Sequence, residues 1–271
     1  MTELTVRRLL IDLETPLPLH WHGGDAFRTA FSNALSMSFP AGEQFFIDAV
    51  RDGVRALPAD QRERLAAEVQ GFIGQEATHR RVHSMFNAQL ERQGLVNAWQ
   101  ERIERRRQKL VGLDPRHAVG ATAATEHLTA ILANWMLRHP QWFDGTEARL
   151  ATMWNWHASE ESEHRSTAFD VYTALGGNHR WRVRWMRIVT VFFVADVMRQ
   201  TIDNLRRSGA FWHWRTWRSA WAFLFGRAGL VRCTFSVWRD YFSSSFHPSQ
   251  HDGSQGRQWL AEHAGAYTPV G

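Results

Sequence analysis

The sequence predicts an all-α protein that is built around a four-helix bundle. Its 271 residues, of which 44% are hydrophobic, are enough to bury a sizeable core. No run of β-branched residues alternates at period two between turn signals, as a strand would. Four long helical stretches are separated instead by short to moderate connections, which is the pattern of a four-helix bundle.

The first of these stretches contains a proline. Ser38 and Pro40 have the spacing of an N-cap and a first-turn proline ahead of GEQFFIDAVRDGVRAL. A weaker helical stretch, DAFRTAFSNALSM, precedes them. We therefore expect the first helix to be broken or kinked near Pro40, because a proline inside a helix removes a hydrogen bond. Pro58 opens the second helix, which covers about 59–93 and ends near Gly94.

The third helix begins at the adjacent Asp114 and Pro115 and runs to about Leu137. The pair His139 and Pro140 stops it, since the residue before a proline disfavours the helical conformation.

The fourth helix is capped by Asp144 or by Thr146 and runs to the Gly-Gly pair that begins at Gly176. We expect one domain for residues 1–271, with the bundle over 24–177 and a helical extension over 178–271.

The excess positive charge lies in this extension. The whole chain carries a net charge of +5, and Arg180–Asp240 alone carries 12 arginines and 3 aspartates, so the remainder is acidic. The same segment contains 7 of the 14 tryptophans. Two interpretations stay open: the arginines face solvent while these helices cover the bundle, or the segment attaches peripherally to an anionic membrane or covers an apolar substrate. No recognised motif indicates a nucleic-acid partner.

Several protein classes are disfavoured by the remaining sequence features. Cys233 is the single cysteine, so neither an internal disulfide nor a cysteine-based metal site is expected. The first residues lack the apolar segment of a secretory signal. The apolar stretch IVTVFFVADVM is 11 residues long, too short to span a bilayer. We expect a cytoplasmic protein, either free or peripheral to the inner face of the membrane.

Glutamate and histidine residues recur in an ordered pattern on the four predicted helices. The order is E, ExxH, E, ExxH, with 33 residues from the first Glu to the first ExxH and 35 in the second half. One ExxH motif is a weak signal, whereas the full ordered set on four helices is a strong one. The residues of the pattern are Glu43, Glu76 with His79, Glu126, and Glu161 with His164.

The spacing suits metal binding. Residues i and i+3 of a helix lie on one face, so a Glu and a His at this spacing can hold the same ion. Two such helices provide for two metal ions, and the two other glutamates add oxygen ligands. Mixed oxygen and nitrogen ligation suits iron, with manganese or zinc as alternatives.

Three more residues lie on the same helical stripes. His83 follows His79 by one turn, and His157 precedes Glu161 by one turn. Each histidine is either an additional ligand, a hydrogen-bonding partner of a ligand or a packed core residue. Glu160 could replace or join Glu161, although the ExxH spacing favours Glu161.

The chain resembles a bacterial family catalogued as predicted metal-dependent hydrolases, and more widely the ferritin-like di-iron carboxylate superfamily. The segments FPAGEQFFIDAVR, FIGQEATHRRVH, TEHLTAILA, WHASEESEHRSTAFDVY and FHPSQHD carry the family resemblance, which covers nearly the whole chain. It implies a ferritin-like four-helix bundle. By position, it implies the ligands Glu43, Glu76, His79, Glu126, Glu161 and His164.

Two enzyme functions follow from a dinuclear site. We favour a di-iron oxidase or oxygenase that activates O2 to oxidise, hydroxylate, desaturate or N-oxygenate a small, hydrophobic organic substrate, because the ligand pattern lacks Asp and is similar to di-iron sites. This chemistry requires O2 and an electron donor. The alternative is a metal-dependent hydrolase that uses a metal-bridging hydroxide. The catalytic residues are unassigned, and the sequence leaves a homodimer open. The basic extension disfavours iron storage, and the absence of CxxC pairs disfavours rubrerythrin-like electron transfer.

Overall fold

The computed structural model describes residues 4–270 and confirms the prediction of an all-α helical bundle. The bundle region contains α1 (Ala26–Arg55), α2 (Ala59–Arg92), α3 (Ala98–Gln108), α4 (Pro115–Arg138), α5 (Ala148–His164) and α6 (Thr167–Ala174). The extension contains α7 (His179–Arg207), α8 (Trp214–Phe225), α9 (Leu230–Asp240) and α10 (Ser254–Glu262). A small antiparallel sheet pairs β1 (Arg7–Leu9) with β2 (Tyr267–Pro269).

Helix α1 runs through Pro40 without a break, so a broken helix is wrong, whereas the alternative of a kink near Pro40 stays a prediction. The cap is Asp25, whose carboxylate accepts from the backbone N–H of Arg28 at 3.0 Å. Ser38 is not an N-cap, and its hydroxyl donates to a backbone carbonyl of the same helix. Pro40 cannot donate to the carbonyl of Ser36, four residues earlier, but a side chain from α2 donates to that carbonyl instead. The Ser36 carbonyl therefore keeps a hydrogen-bond donor although the helix contains a proline.

The predicted fourth helix is two helices. α5 ends at His164 and α6 begins at Thr167. The cap of α5 is Glu147, whose side chain accepts from the N–H of Leu150, so neither Asp144 nor Thr146 has the predicted role. The second and third predicted helices agree with α2 and α4 to within one residue.

Helix α3 was not predicted, because its sequence is rich in charge and has a single buried side chain, Trp99. A buried aspartate of α7 holds it in place. Asp196 forms ion pairs with Arg102 and Arg106 of α3. This contact fixes α3 beside α1 and α7.

The bundle encloses two apolar clusters. One contains Leu35, Phe86 and Trp156, and the other contains Val50 and Phe72. In α1 and α2 the residues of the E, ExxH pattern lie between the residues of one cluster and those of the other. Helix α7 packs along α1 and α4, and α10 packs on α5, so the extension covers the bundle. No helix within residues 4–270 is both long enough and apolar enough to cross a membrane.

Candidate metal centre

The structure brings the six residues of the E, ExxH pattern together inside the bundle. Each of the helices α1, α2, α4 and α5 contributes to the cluster, and each of the six side chains is at most 3% exposed. Burial of so many ionisable groups is costly unless they are paired or bound to metal. The six residues are Glu43, Glu76, His79, Glu126, Glu161 and His164.

Donor atoms of five of these residues, together with His157, form two groups in which all atoms lie within 4.8 Å of one another, and Glu126 belongs to neither group. One group comprises Glu76, His79, Glu161 and His164, and the other comprises Glu43, His79 and His157. Most donor atoms of the six residues have no hydrogen-bond partner within residues 4–270. Both carboxylate oxygens of Glu43, Glu76 and Glu126 are unpartnered, as are Nδ1 of His79 and both ring nitrogens of His164. Unpartnered buried donors and acceptors are costly, and a metal ion would satisfy them, so this donor set fits metal binding.

Glu160 lies at the edge of this cluster and is bonded to one of its members. Its carboxylate lies 2.9 Å from Nε2 of His79 and 3.1 Å from the guanidinium of Arg7. Arg7 also pairs with Glu163, so strand β1 is held against α5 by two ion pairs. Because Glu160 engages Nε2, it leaves Nδ1 of His79 to face Glu161 at 3.6 Å. The two adjacent glutamates therefore have different surroundings.

A hydrogen-bond chain fixes the tautomer of His157. The amide of Asn87 donates to the Ser36 carbonyl, so its Oδ1 accepts from the Ser36 hydroxyl at 2.7 Å. That hydroxyl must then accept from Nδ1 of His83 at 2.8 Å, and Nε2 of His83 in turn accepts from Nδ1 of His157 at 2.8 Å. The remaining nitrogen of His157, Nε2, carries a lone pair and lies 3.1 Å from Glu161 Oε1.

The charge states of His157 and His83 agree with this hydrogen-bond chain. Burial lowers the pKa of His157 to about 4 and holds the pKa of His83 well below its usual value. Both rings are therefore neutral at pH 7, the state in which an imidazole binds metal. A cavity of about 20 Å³ borders His157, Glu161 and Thr129, which is enough for one water-sized group.

The carboxylates respond in opposite ways to their surroundings. Burial raises the pKa of Glu43 and Glu76 well above the usual value, and it raises the pKa of Glu126 to about 7. Burial acts in the same direction on Glu161, but the nearby positive charge of His164 and the other histidine rings around the carboxylate outweigh it, so the Glu161 pKa is well below its usual value. Three carboxyl groups that resist ionisation indicate a site short of positive charge.

The remaining two histidines, His79 and His164, carry positive charge that partly balances the carboxylates. Burial disfavours the charged form of His79, but the adjacent carboxylates of Glu160 and Glu161 stabilise that form and raise the His79 pKa to about 9. His164 also has a raised pKa, because its proximity to Glu126 and Glu161 outweighs burial. Nδ1 of His164 lies 3.1 Å from Glu126 Oε2, and Nε2 lies 3.6 Å from Glu76 Oε1.

An apolar cavity of about 330 Å³ leads to the cluster from the side of α3 and α7. Glu43 and Thr129 line its buried end, and Phe46 and Phe192 line its walls. The exposed side chain of Lys109 belongs to its mouth. Its volume is at the lower end of the range for small-molecule sites, and its lining favours an apolar ligand.

Several supporting residues are absent from the sequence-based prediction. Asn87 lies one turn beyond His83 on the same stripe of α2, so the helical spacing could have indicated it. Ser36 similarly lies about two turns before Glu43 on α1. Arg7 had no such signal, because it reaches Glu160 from a strand 153 residues away.

Fold and donor set together define a helical bundle with a buried site suited to metal ions. The chain belongs to the family described as predicted metal-dependent hydrolases, which matches residues 5–252. This confirms the family resemblance, whereas the wider ferritin-like placement stays a prediction. Comparison with curated proteins gives no match, and neither does comparison with solved structures.

Proposed function

We propose that the protein is a dinuclear metal-dependent hydrolase that acts on a small apolar substrate. The observation that carries the proposal is the set of buried Glu and His donors that face one another without hydrogen-bond partners. The family to which the chain belongs supports hydrolysis as the reaction. The apolar cavity that ends at Glu43 supports an apolar substrate.

The first ion is assigned to the donors around His164. Glu76 and Glu161 face Nε2 of this ring, at 3.6 and 3.7 Å. Glu126 Oε2 lies on the opposite side of the ring, 3.1 Å from Nδ1, so we assign Oε1 as the oxygen that Glu126 offers to the ion.

The second ion is assigned to Glu43 and to Nε2 of His157. The hydrogen-bond chain leaves this nitrogen unprotonated, so its lone pair is available to an ion. His79 belongs to both groups of donors. Since Glu160 engages its Nε2, His79 has one nitrogen left and can ligate only one of the two ions.

Charge balance supports two divalent ions. The four carboxylates Glu43, Glu76, Glu126 and Glu161 would offset the charge of two such ions, so the loaded site would be close to neutral when the histidines are neutral. A buried site of this kind avoids the cost of an uncompensated charge.

The bound ions would supply Lewis acidity, which polarises an ester or phosphoryl group and lowers the pKa of a water molecule. The protein's own residues position the reactants. The walls of the apolar cavity bind the apolar part of the substrate and bring its reactive group to Glu43. Glu160 and His83 orient the ligand histidines through their other ring nitrogens.

Oxidation by O2 is the second candidate, because the donor set is rich in carboxylates and lies at the end of an apolar cavity. Glutamate and histidine donors without cysteine suit iron. An apolar cavity would also admit O2 and an apolar substrate while limiting bulk water. This function requires an external electron donor.

A paired experiment separates the two functions. Metal-free protein is loaded anaerobically with Zn(II), Mn(II) or Fe(II); one portion is given p-nitrophenyl esters of increasing acyl length without O2, and a second portion is given the same esters with O2 and a chemical reductant, against a protein-free control. Ester hydrolysis in the absence of O2 supports the hydrolase. O2 uptake that occurs only with Fe(II), without ester hydrolysis, contradicts the hydrolase and favours oxidation. Glu76→Gln should abolish either activity, whereas Glu91→Gln at an exposed position of α2 should not.

A further inference from the structure

Helix α8 presents aromatic side chains to solvent. Trp214 is 64% exposed and Trp221 is 68% exposed, and Trp212 just before the helix is 87% exposed. Trp217 and Phe225 are exposed on the same face. Exposed aromatic residues that form one continuous stripe are unusual in a helix that faces only water, and they mark an interaction surface.

The opposite face of α8 fixes this orientation. Phe223 packs against Phe31 and Trp142, with ring centroids 4.8 and 4.5 Å apart. The hydroxyl of Thr216 donates to a backbone carbonyl, and that of Ser219 donates to Asp25 at 2.6 Å. Because the inner face is already packed, the tryptophans cannot turn inward without breaking these contacts.

A wide groove of about 1220 Å³ lies beside this aromatic stripe and is lined by cationic side chains. Arg28, Arg215 and Arg218 line it together with histidines and tryptophans. Arg218 lies over the ring of Trp214, 4.9 Å from its centroid. Asp25 is the acidic residue of the lining; it is engaged by Ser219 and by the backbone of α1, and it lies 3.8 Å from the Arg28 guanidinium, so the positive charge of the lining comes mainly from Arg215 and Arg218. The groove therefore favours an anion.

The charge of the surrounding segment favours an anionic membrane over a second copy of the chain as the partner of this face. Arg180–Asp240 carries a net charge of +9, so a second copy of the chain placed symmetrically on this face would bring like charges together. An anionic bilayer offers the opposite charge over an extended surface. Tryptophan is also the residue that lies best at the boundary between headgroups and acyl chains.

We propose that α8 and the adjacent groove dock the protein peripherally on an anionic membrane. The tryptophan stripe lies at the level of the headgroups, and Arg215 and Arg218 contact lipid phosphates. This surface is separate from the apolar cavity that leads to the metal centre, because the two share no lining residue. The proposal therefore stands whether or not the enzyme proves to be a hydrolase.

Vesicle flotation of the full chain tests the docking proposal. We expect the protein to float with vesicles that contain phosphatidylglycerol and to stay behind with pure phosphatidylcholine. The charge-reversal variant Arg215→Glu with Arg218→Glu should lower the partition coefficient by more than about tenfold. The matched control, Arg62→Glu with Arg64→Glu at two exposed positions of α2, makes the same change in net charge and should retain binding.

A second variant tests the aromatic stripe. Trp212→Ala, Trp214→Ala and Trp221→Ala together remove exposed rings and leave the inner face of α8 intact, so the melting temperature should be unchanged while flotation is lost. The proposal is overturned if the wild-type protein fails to float, if the triple tryptophan variant floats equally well, or if the control reversal is equally damaging. It is also overturned if inorganic phosphate binds, or a dimer forms through this face, without flotation.

Discussion

The side-chain amide of Asn87 donates to the backbone carbonyl of Ser36 at 2.9 Å. This carbonyl is the one that Pro40 leaves without its helical donor, so a contact from α2 repairs α1. The same amide orients the Ser36 hydroxyl and, through His83, sets the tautomer of His157. A local defect in one helix is thereby connected to the donor geometry of the candidate metal centre.

Removal of this amide should affect both stability and metal binding. Asn87→Ala leaves the Ser36 carbonyl unpaired, so we expect a loss of about 1–3 kcal/mol in the free energy of unfolding. Metal affinity should fall by about 10–100-fold, because His157 loses its fixed tautomer. Denaturant unfolding and metal titration measure the two effects.

The control for this substitution is Asn155→Ala, which removes an amide bonded to its own helix on α5. This variant should keep the wild-type metal affinity. An Asn87→Ala protein that binds metal as tightly as the wild type would contradict the role assigned to the hydrogen-bond chain.

The adjacent Glu160 and Glu161 should respond differently to the same chemical change. Glu160→Gln weakens the bond that orients His79, so the protein should bind the full number of ions with lower affinity. Glu161→Gln should reduce the number of ions bound. Native mass spectrometry of metal-loaded proteins measures the number directly, and the reverse pattern would assign Glu160 as the ligand.

The stability of the metal-free protein should depend on pH because ionised Glu126 is unfavourable in the buried site. Burial raises its pKa from 4.5 to about 7, so the folded state binds the proton more tightly than the unfolded state. This contribution to stability is fully present below pH 4.5 and is lost as the pH rises through about 7. Glu126→Gln keeps a neutral side chain at every pH.

Thermal or denaturant unfolding of the two metal-free proteins therefore gives a signed test. They should be equally stable near pH 4.5, and the variant should be more stable at pH 8, by on the order of 1–3 kcal/mol. With metal bound, the wild type should be the more stable protein at pH 8, because metal binding requires the Glu126 carboxylate. A metal-free variant that is less stable than the wild type at pH 8 would refute the assignment.

Gly42 offers a test of the apolar cavity. It lines the cavity inside α1, and a Cβ at this position would meet only the ring of Phe46, at 3.9 Å. Gly42→Leu should block long acyl substrates while leaving metal content unchanged. Gly42→Ala is the matched control, and it should keep activity and stabilise the helix by about 0.5–1 kcal/mol. Equal activity of the two variants on the longest ester would place the substrate elsewhere.

The sequence predicts those features of the site that depend on local helical spacing. Glu76 and His79 share a face of one helix, and so do Glu161 and His164, so their convergence required only that the two helices pack together. The roles of Glu160 and Glu161 depend on Arg7, which is distant in sequence. Likewise, the continuity of α1 at Pro40 depends on an amide from another helix. Periodicity within one segment carries no information about such contacts.

The central claim is that the buried donors bind two metal ions. Titration of metal-free protein with Zn(II) or Fe(II) under anaerobic conditions, followed by native mass spectrometry, tests it most directly. We predict saturation at two ions per chain for the wild type and for Glu91→Gln, and fewer for Glu76→Gln and Glu161→Gln. A wild-type chain that binds no metal, or two ions retained in both site variants, would contradict the account.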